Sequence, residues 1–242
     1  VAFHPDTKNV IASNQLPSGV KEIGIETGDG ILIQSYYIPS ERSDKLMIYF
    51  HGNAGNIGHR LPGLMKLNDF GLNVLGVSYR GYGKSQGKPS EKGIYMDGEA
   101  AFAHATGVLG FPPEKVFIFG RSIGTAVAIH VSQRKHIGGL VLVTPLTSGA
   151  DLAKASGLKL LSFLAGDAFN NIGKIGLVTC PVLVVHGSQD RTIPVSMGRA
   201  IYDNITSSKQ FVEIAGANHN DLSTRYAGTY WPPINDFIRS VM

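Results

Sequence analysis

The sequence predicts an α/β architecture on one mostly parallel sheet, and three observations carry that prediction. From residue 45 onward, short runs rich in β-branched and aromatic residues alternate with longer helical runs, the rhythm of strands joined by crossover helices. Most of the short runs are continuously apolar, as strands covered on both faces must be. The chain has 242 residues, of which 43% are apolar and 17% charged, so it suits one large domain, 1–242, with a substantial core.

The first element is a hairpin. VKEIGIET (20–27) and ILIQSYYI (31–38) flank Gly28-Asp29-Gly30, and two β-rich runs joined by so short a glycine turn pair antiparallel. Six further strands follow: KLMIYF (45–50), NVLGVSY (73–79), KVFIFG (115–120), GLVLVT (139–144), PVLVVHG (181–187) and QFVEIAG (210–216). With the hairpin they make an eight-stranded sheet. Helical patterns occupy 58–69, 91–107, 122–135, 194–204 and 221–241, placed to cover both faces. Pro232 and Pro233 either interrupt the last helix or mark its start. Residues 145–178 break the rhythm as a small cap-like insertion. Its apolar piece ASGLKLLSFLAG (155–166), with Leu161 as a further substrate-pocket candidate, either roofs a pocket or packs as an ordinary helix.

Charge and composition exclude several functions. The formal charge is +4, but the basic residues are scattered and accompany no reader motif, so no nucleic-acid partner is expected. A single cysteine, Cys180, permits neither an intramolecular disulfide nor a cysteine-rich metal site, and its place before PVLVV makes it a buried thiol. No run of 18 apolar residues spans a membrane and no signal peptide is visible. Because the sequence starts at Val1 rather than Met, an upstream targeting or anchoring segment stays open, and localisation and oligomeric state are not readable.

The chemistry is concentrated at strand ends. Gly120-Arg121-Ser122-Ile123-Gly124 matches G-x-S-x-G between a strand and a helix pattern, the context of a nucleophile elbow. So tight a turn forces the serine into a strained backbone region and lifts its Oγ above the sheet beside a helix N-terminus. A plain serine helix cap is the competing reading. Serine needs a base, and a base needs an orienting carboxylate. Of eight histidines, His104, His130 and His136 lie in or near helix patterns, His4 is near the terminus, and His59 begins a helix. His219 stands just past the last strand, at the same sheet edge as Ser122. Asp190 follows PVLVVHGSQ at another strand end, which produces the chain order Ser122, Asp190, His219. Asp221 is the rival acid, but it suits the cap of the final helix.

Acyl chemistry also needs oxyanion donors, and two backbone N–H groups are placed for it: Ile123, after the serine, and Asn53, in the glycine-containing loop HGNAGN (51–56). His51 is a structural residue of that loop. The stretch YRGYGKSQG (79–87) contains Gly-Lys-Ser, yet a phosphate loop needs glycine where Ser78 stands, and G-x-G-x-x-G fails as well. It reads as a connection near the site, with Arg80 and Tyr82 as substrate-pocket candidates.

Together HGNAGN (51–56), YRGYGKSQGKPSE (79–91), GRSIG (120–124), CPVLVVHGSQDRTIP (180–194) and GANHNDL (216–222) resemble the α/β-hydrolase superfamily. They are similar to its small, often membrane-anchored α/β-hydrolase-domain branch, which includes protein depalmitoylases and bacterial relatives. The resemblance implies the α/β-hydrolase fold over about residues 20–240. It also implies Ser122 as nucleophile, His219 as base, Asp190 as orienting acid, and Asn53 and Ile123 as oxyanion hole. The substrate it implies is a small acyl ester or thioester, with no metal and no cofactor. Members of the branch often carry an N-terminal hydrophobic anchor, so membrane association through a segment absent from residues 1–242 is implied too. The cysteine-rich, lipidated N-terminus of the depalmitoylase members has no counterpart among these residues. A serine peptidase or amidase on the same fold and a non-catalytic binding protein are the other readings. The modest insertion suggests short to medium acyl chains.

Overall fold

The computed structural model describes residues 3–8, 10–155, 157 and 167–241. Its chain falls into two compact units that divide inside one strand, between Ile118 and Phe119.

In the unit up to Ile118, β1 (Lys21–Glu26) and β2 (Leu32–Ile38) form the expected antiparallel hairpin, with Glu26 opposite Leu32. β3 (Leu46–Phe50) runs parallel to β4 (Asn73–Val77), and β4 pairs antiparallel with β2. Every residue of β3 and β4 is buried, which is why both read as unbroken apolar runs. The predicted helix at 58–69 is composite. A 3₁₀ turn at Ile57–Arg60 precedes α1 (Leu61–Asp69), and the Asn56 side chain caps the turn by accepting from the Gly58 N–H at 2.9 Å. His59 serves the same cap, its Nδ1 accepting from the Asn56 N–H at 3.2 Å. α2 (Glu91–Gly107) keeps its predicted bounds, set at its start by Ser90, whose Oγ accepts from the Gly93 N–H at 3.0 Å. A short parallel pairing that the sequence did not reveal joins His4–Pro5 to Ala54–Gly55.

β5 (Val116–Arg121) crosses the division. The unit from Phe119 onward continues through α3 (Gly124–Ser132), β6 (Gly139–Val143), α4 (Gly149–Ala155), α5 (Ile172–Ile175), β7 (Val182–Gly187), α6 (Val195–Asp203), β8 (Lys209–Ile214) and α7 (Ala227–Ser240). β7 runs parallel to both β6 and β8. Counting the shared strand once, the main sheet has eight strands and is mostly parallel, and the antiparallel pairings just described are those of β2.

Three expectations are corrected here. Ser122 and Ile123 precede α3 rather than belonging to it. The last helix starts at Ala227, not at 221, because Asp221 turns its carboxylate back to the Asn218 N–H, 2.7 Å away, instead of capping a helix. Pro232 and Pro233 lie inside α7 and neither break it nor begin it. Burial of Tyr230, Trp231, Ile234, Phe237 and Ile238 on one face holds the helix through the two missing N–H donors. Of the 145–178 insertion, α4 and α5 are described, whereas 156 and 158–166, including Leu161, lie outside the described residues. Among the described residues no helix is long and apolar enough to cross a membrane.

Candidate active site

Three loops of the second unit bring the predicted side chains together. Ser122 lies one residue past the end of β5, Asp190 three past β7 and His219 five past β8. Parallel strands in register put those ends at one edge, with Gly187 opposite Ile214.

The serine sits on a strained turn. Its φ is 56°, in the left-handed region that a non-glycine residue enters at a cost of about 1–2 kcal/mol. The turn is pinned on both sides: the Ser122 N–H donates to Val143 O at 2.9 Å, and Ser122 O accepts from the Thr125 N–H at 2.9 Å and from Thr125 Oγ1 at 2.6 Å. Gly120 lets α3 turn back this closely. A Cβ there would lie 2.6 Å from Gly124 O and 2.7 Å from both the Ala128 Cβ and the Thr125 Cα.

The loops that carry Asp190 and His219 are sewn to each other. The Gln189 N–H donates to Ala217 O at 2.9 Å, and the Gly216 N–H donates to Ser188 Oγ at 2.8 Å. Asn218 Oδ1 accepts from the Arg191 N–H at 3.2 Å and from the His219 N–H at 2.7 Å. Asp190 Oδ1 accepts from the Thr192 and Ile193 N–H groups, each at 2.8 Å, which fixes the carboxylate plane. Its other oxygen lies 2.7 Å from His219 Nδ1, and His219 Nε2 lies 3.1 Å from Ser122 Oγ. An ionised carboxylate only accepts, so Nδ1 carries the hydrogen and Nε2 turns its lone pair to the serine hydroxyl.

Electrostatics keep that arrangement charged in the right place. Burial opposes ionisation of Asp190, but His186 and His219 beside it and the Ile193 N–H outweigh burial and hold the carboxyl well below its usual range. Asp190 and His219 are each 7% exposed, so the pair acts where water screens little.

The other predicted site residues fall as follows. Ile123 is buried at the elbow, directly after Ser122. Asn53 belongs to the other unit, where its Oδ1 accepts from the His4 N–H at 3.2 Å and from the Tyr82 hydroxyl at 2.9 Å. Tyr82 is fully buried and packs edge-on to His51 and Tyr79. Arg80 is engaged at every arm: its N–H and Nε donate to Asp97 at 2.8 and 2.9 Å, and its terminal nitrogens donate to Asp29 at 2.8 and 3.0 Å. Lys84 of the Gly-Lys-Ser triplet donates to Glu22 at 2.9 Å rather than standing ready for phosphate. His51 is wholly buried, and burial pushes its pKa down to about 3, consistent with a packing role. Asp221, the rival acid, is spent on its own loop. No group of three His, Cys, Asp or Glu among the described residues is arranged to hold a metal ion.

Two residues escaped the sequence reading. Arg121, inside the elbow motif, donates from Nη2 to His219 O at 2.9 Å and reaches Asn220 Oδ1 at 3.4 Å, tying the Ser122 turn to the His219 loop. His186 lies behind Asp190, with Nε2 3.6 Å from Asp190 Oδ2. Its spacing of four residues before the acid was the one available signal.

Comparison with known proteins agrees with this architecture. A family described as "Serine aminopeptidase, S33" matches residues 41–173. The chain is 36% identical over 201 residues to the α/β hydrolase domain-containing protein aho-3 of Caenorhabditis elegans, covering 83% of this chain and 59% of that protein. It is 35% identical over 193 residues to the human α/β hydrolase domain-containing protein 17B, covering 79% of this chain and 65% of that one. It thus spans about three-fifths of the length of these curated relatives. Among solved structures, an esterase of Pyrococcus furiosus shares the fold with a TM-score of 0.81 at 19% identity, covering 99% of both chains.

Proposed function

The chain belongs to the serine aminopeptidase S33 family and is an α/β-hydrolase, and from that premise we propose that it is a serine hydrolase of carboxylic esters or thioesters. The observation that carries the proposal is the run of contacts from Ser122 Oγ to His219 Nε2 at 3.1 Å and from His219 Nδ1 to Asp190 Oδ2 at 2.7 Å, with the serine on a left-handed turn.

In the proposed reaction Ser122 Oγ attacks the acyl carbonyl while His219 Nε2 takes its proton. Asp190 keeps the imidazole in the required tautomer and stabilises the imidazolium that forms. The Ile123 N–H, next to the nucleophile, donates to the developing oxyanion. The Asn53 N–H is proposed as second donor on the sequence argument alone. His219 then returns the proton to the leaving alcohol or thiol, and an acyl-Ser122 ester remains. Water enters, gives a proton to His219 and attacks the acyl carbon, and the acid departs as Ser122 recovers its hydrogen. The thioester half of the substrate class rests on the resemblance to depalmitoylase-like proteins.

The test is a series of p-nitrophenyl esters of increasing acyl length with Ser122→Ala as control, beside fluorophosphonate labelling. Hydrolysis and a Ser122 adduct in the parent, both absent from Ser122→Ala, are expected. A folded parent that takes no adduct and cleaves no ester would count for a binding protein instead. The family description favours one further reading, a peptidase, and aminoacyl amides run beside the esters decide it: amide turnover exceeding ester turnover would establish that alternative.

A further inference from the structure

His186 is the penultimate residue of β7 and is fully buried. Its Nε2 lies 2.9 Å from Ile193 O. A carbonyl only accepts, so Nε2 carries the hydrogen. Ile193 is the residue whose N–H donates to Asp190 Oδ1 at 2.8 Å, so the imidazole and the carboxylate grip one peptide turn from its two sides. The same Nε2 edge lies 3.6 Å from Asp190 Oδ2, too far for a hydrogen bond but close enough for its dipole to face the oxygen that serves His219.

The fold accepts two local costs to seat this ring. Among the described residues His186 Nδ1 is buried without a partner, and α6 carries Gly198 where a Cβ would lie 2.3 Å from that nitrogen. A buried unpaired polar atom and a mid-helix glycine are both unfavourable, and a leucine in the slot would leave no nitrogen unpaired. What imidazole supplies and leucine does not is the Nε2 hydrogen.

We infer that His186 is a positioning residue for the triad acid, holding the turn at 190–193 through Ile193 O so that Asp190 Oδ2 stays aimed at His219. The inference rests on the hydrolase reading of Ser122, His219 and Asp190. It assigns His186 no contact with substrate.

Four proteins test it on a p-nitrophenyl ester and by thermal melting: the parent, His186→Leu, His186→Gln and Gly198→Ala. His186→Leu lowers kcat about tenfold to a hundredfold, the scale of a small misplacement of a reacting group, with KM nearly unchanged. Its melting temperature changes little, because loss of the orphan nitrogen offsets loss of the donor to Ile193 O. His186→Gln, which returns an N–H near Nε2, restores most of kcat. Gly198→Ala, which crowds the ring from behind, lowers kcat as leucine does. A leucine variant with parental kcat overturns the inference, as does a glutamine variant that loses as much as leucine. If the leucine variant does not fold, an active His186→Gln beside an impaired Gly198→Ala supports the inference, and the reverse overturns it. A folded parent that neither hydrolyses ester nor takes fluorophosphonate at Ser122 removes the underlying reading as well. An active parent with an unaffected His186→Leu removes this inference alone.

Discussion

Ser122 carries both the proposed chemistry and a conformational cost. At φ 56° an alanine bears the same strain as the serine, whereas a glycine bears almost none. Ser122→Gly and Ser122→Ala are therefore both inactive, but the glycine variant is the more stable by about 1 kcal/mol, which for a chain of this size is a melting temperature about 2–4 °C higher. Equal melting temperatures would show that the turn stores no strain. Arg121 acts beside it on the base loop. Removing its bond to His219 O in Arg121→Ala loosens the imidazole without touching the acyl group. A kcat about tenfold lower with KM unchanged is expected, and partial recovery in Arg121→Lys. A rise in KM alone would place Arg121 on the substrate instead.

At the scale of elements, the elbow depends on how closely α3 folds back on β5. Gly120→Ala places its Cβ 2.6 Å from Gly124 O, a backbone atom that cannot swing aside, so strand and helix must separate. Overpacking of this kind costs about 1–3 kcal/mol, read as a lower denaturant midpoint, and activity falls further than stability because the Ser122 turn opens. The two acid–base loops show the same logic in reverse. Gly187 lets Ala217 O come within 2.4 Å of where a Cβ would stand, and the bonds across 188–191 and 214–218 then need no further device to bring Asp190 to His219. In the other unit the hairpin turn is tied down through Arg80, which joins Asp29 to Asp97 of α2.

For the whole molecule, the carboxylates set the response to acid. Hydrogen bonds from Arg80 hold Asp29 well below its usual range, and Asp44 is lowered by Lys115 and Asp151 by Thr147 and Ser148. Glu22 and Asp190 are lowered in spite of burial, by Ser13 and Lys84 in one case and by the two histidines in the other. Groups lowered on folding contribute stability above their unfolded values, about 4, and lose it as pH falls further. Asp97 has the opposite sign. Burial pushes it up to about 6 against the pull of Arg80, so the folded chain binds its proton first and its contribution to stability declines as pH rises from about 4 to 6. His51, pushed down to about 3 by burial, works the other way, since the unfolded chain alone binds its proton between about 3 and 6.5. Denaturant midpoints should therefore fall steeply below about pH 4 and stay nearly level from 4 to 6, where Asp97→Asn turns the level stretch into a rise with pH. A midpoint unchanged between pH 5 and pH 3 would contradict the first half. An identical profile in Asp97→Asn would contradict the second.

What the sequence determined by itself follows from periodicity and local chemistry. Continuous apolar runs marked the buried strands, Gly28-Asp29-Gly30 marked the hairpin, and a helical pattern over 91–107 marked α2. The convergence of Ser122, Asp190 and His219 was legible because each lies within three residues of the end of such a run, at one edge of a parallel sheet. Residues whose partners are remote in sequence stayed hidden. Arg121 reads as filler in its motif until His219 O, 98 positions away, is placed beside it. His186 reads as one more buried strand residue until Ile193 O and Gly198 surround it. Asp221 and the two prolines of α7 were misread for the same reason. Local preference names a helix cap and a helix breaker, while a loop hydrogen bond and a buried helical face, both products of packing, decided otherwise.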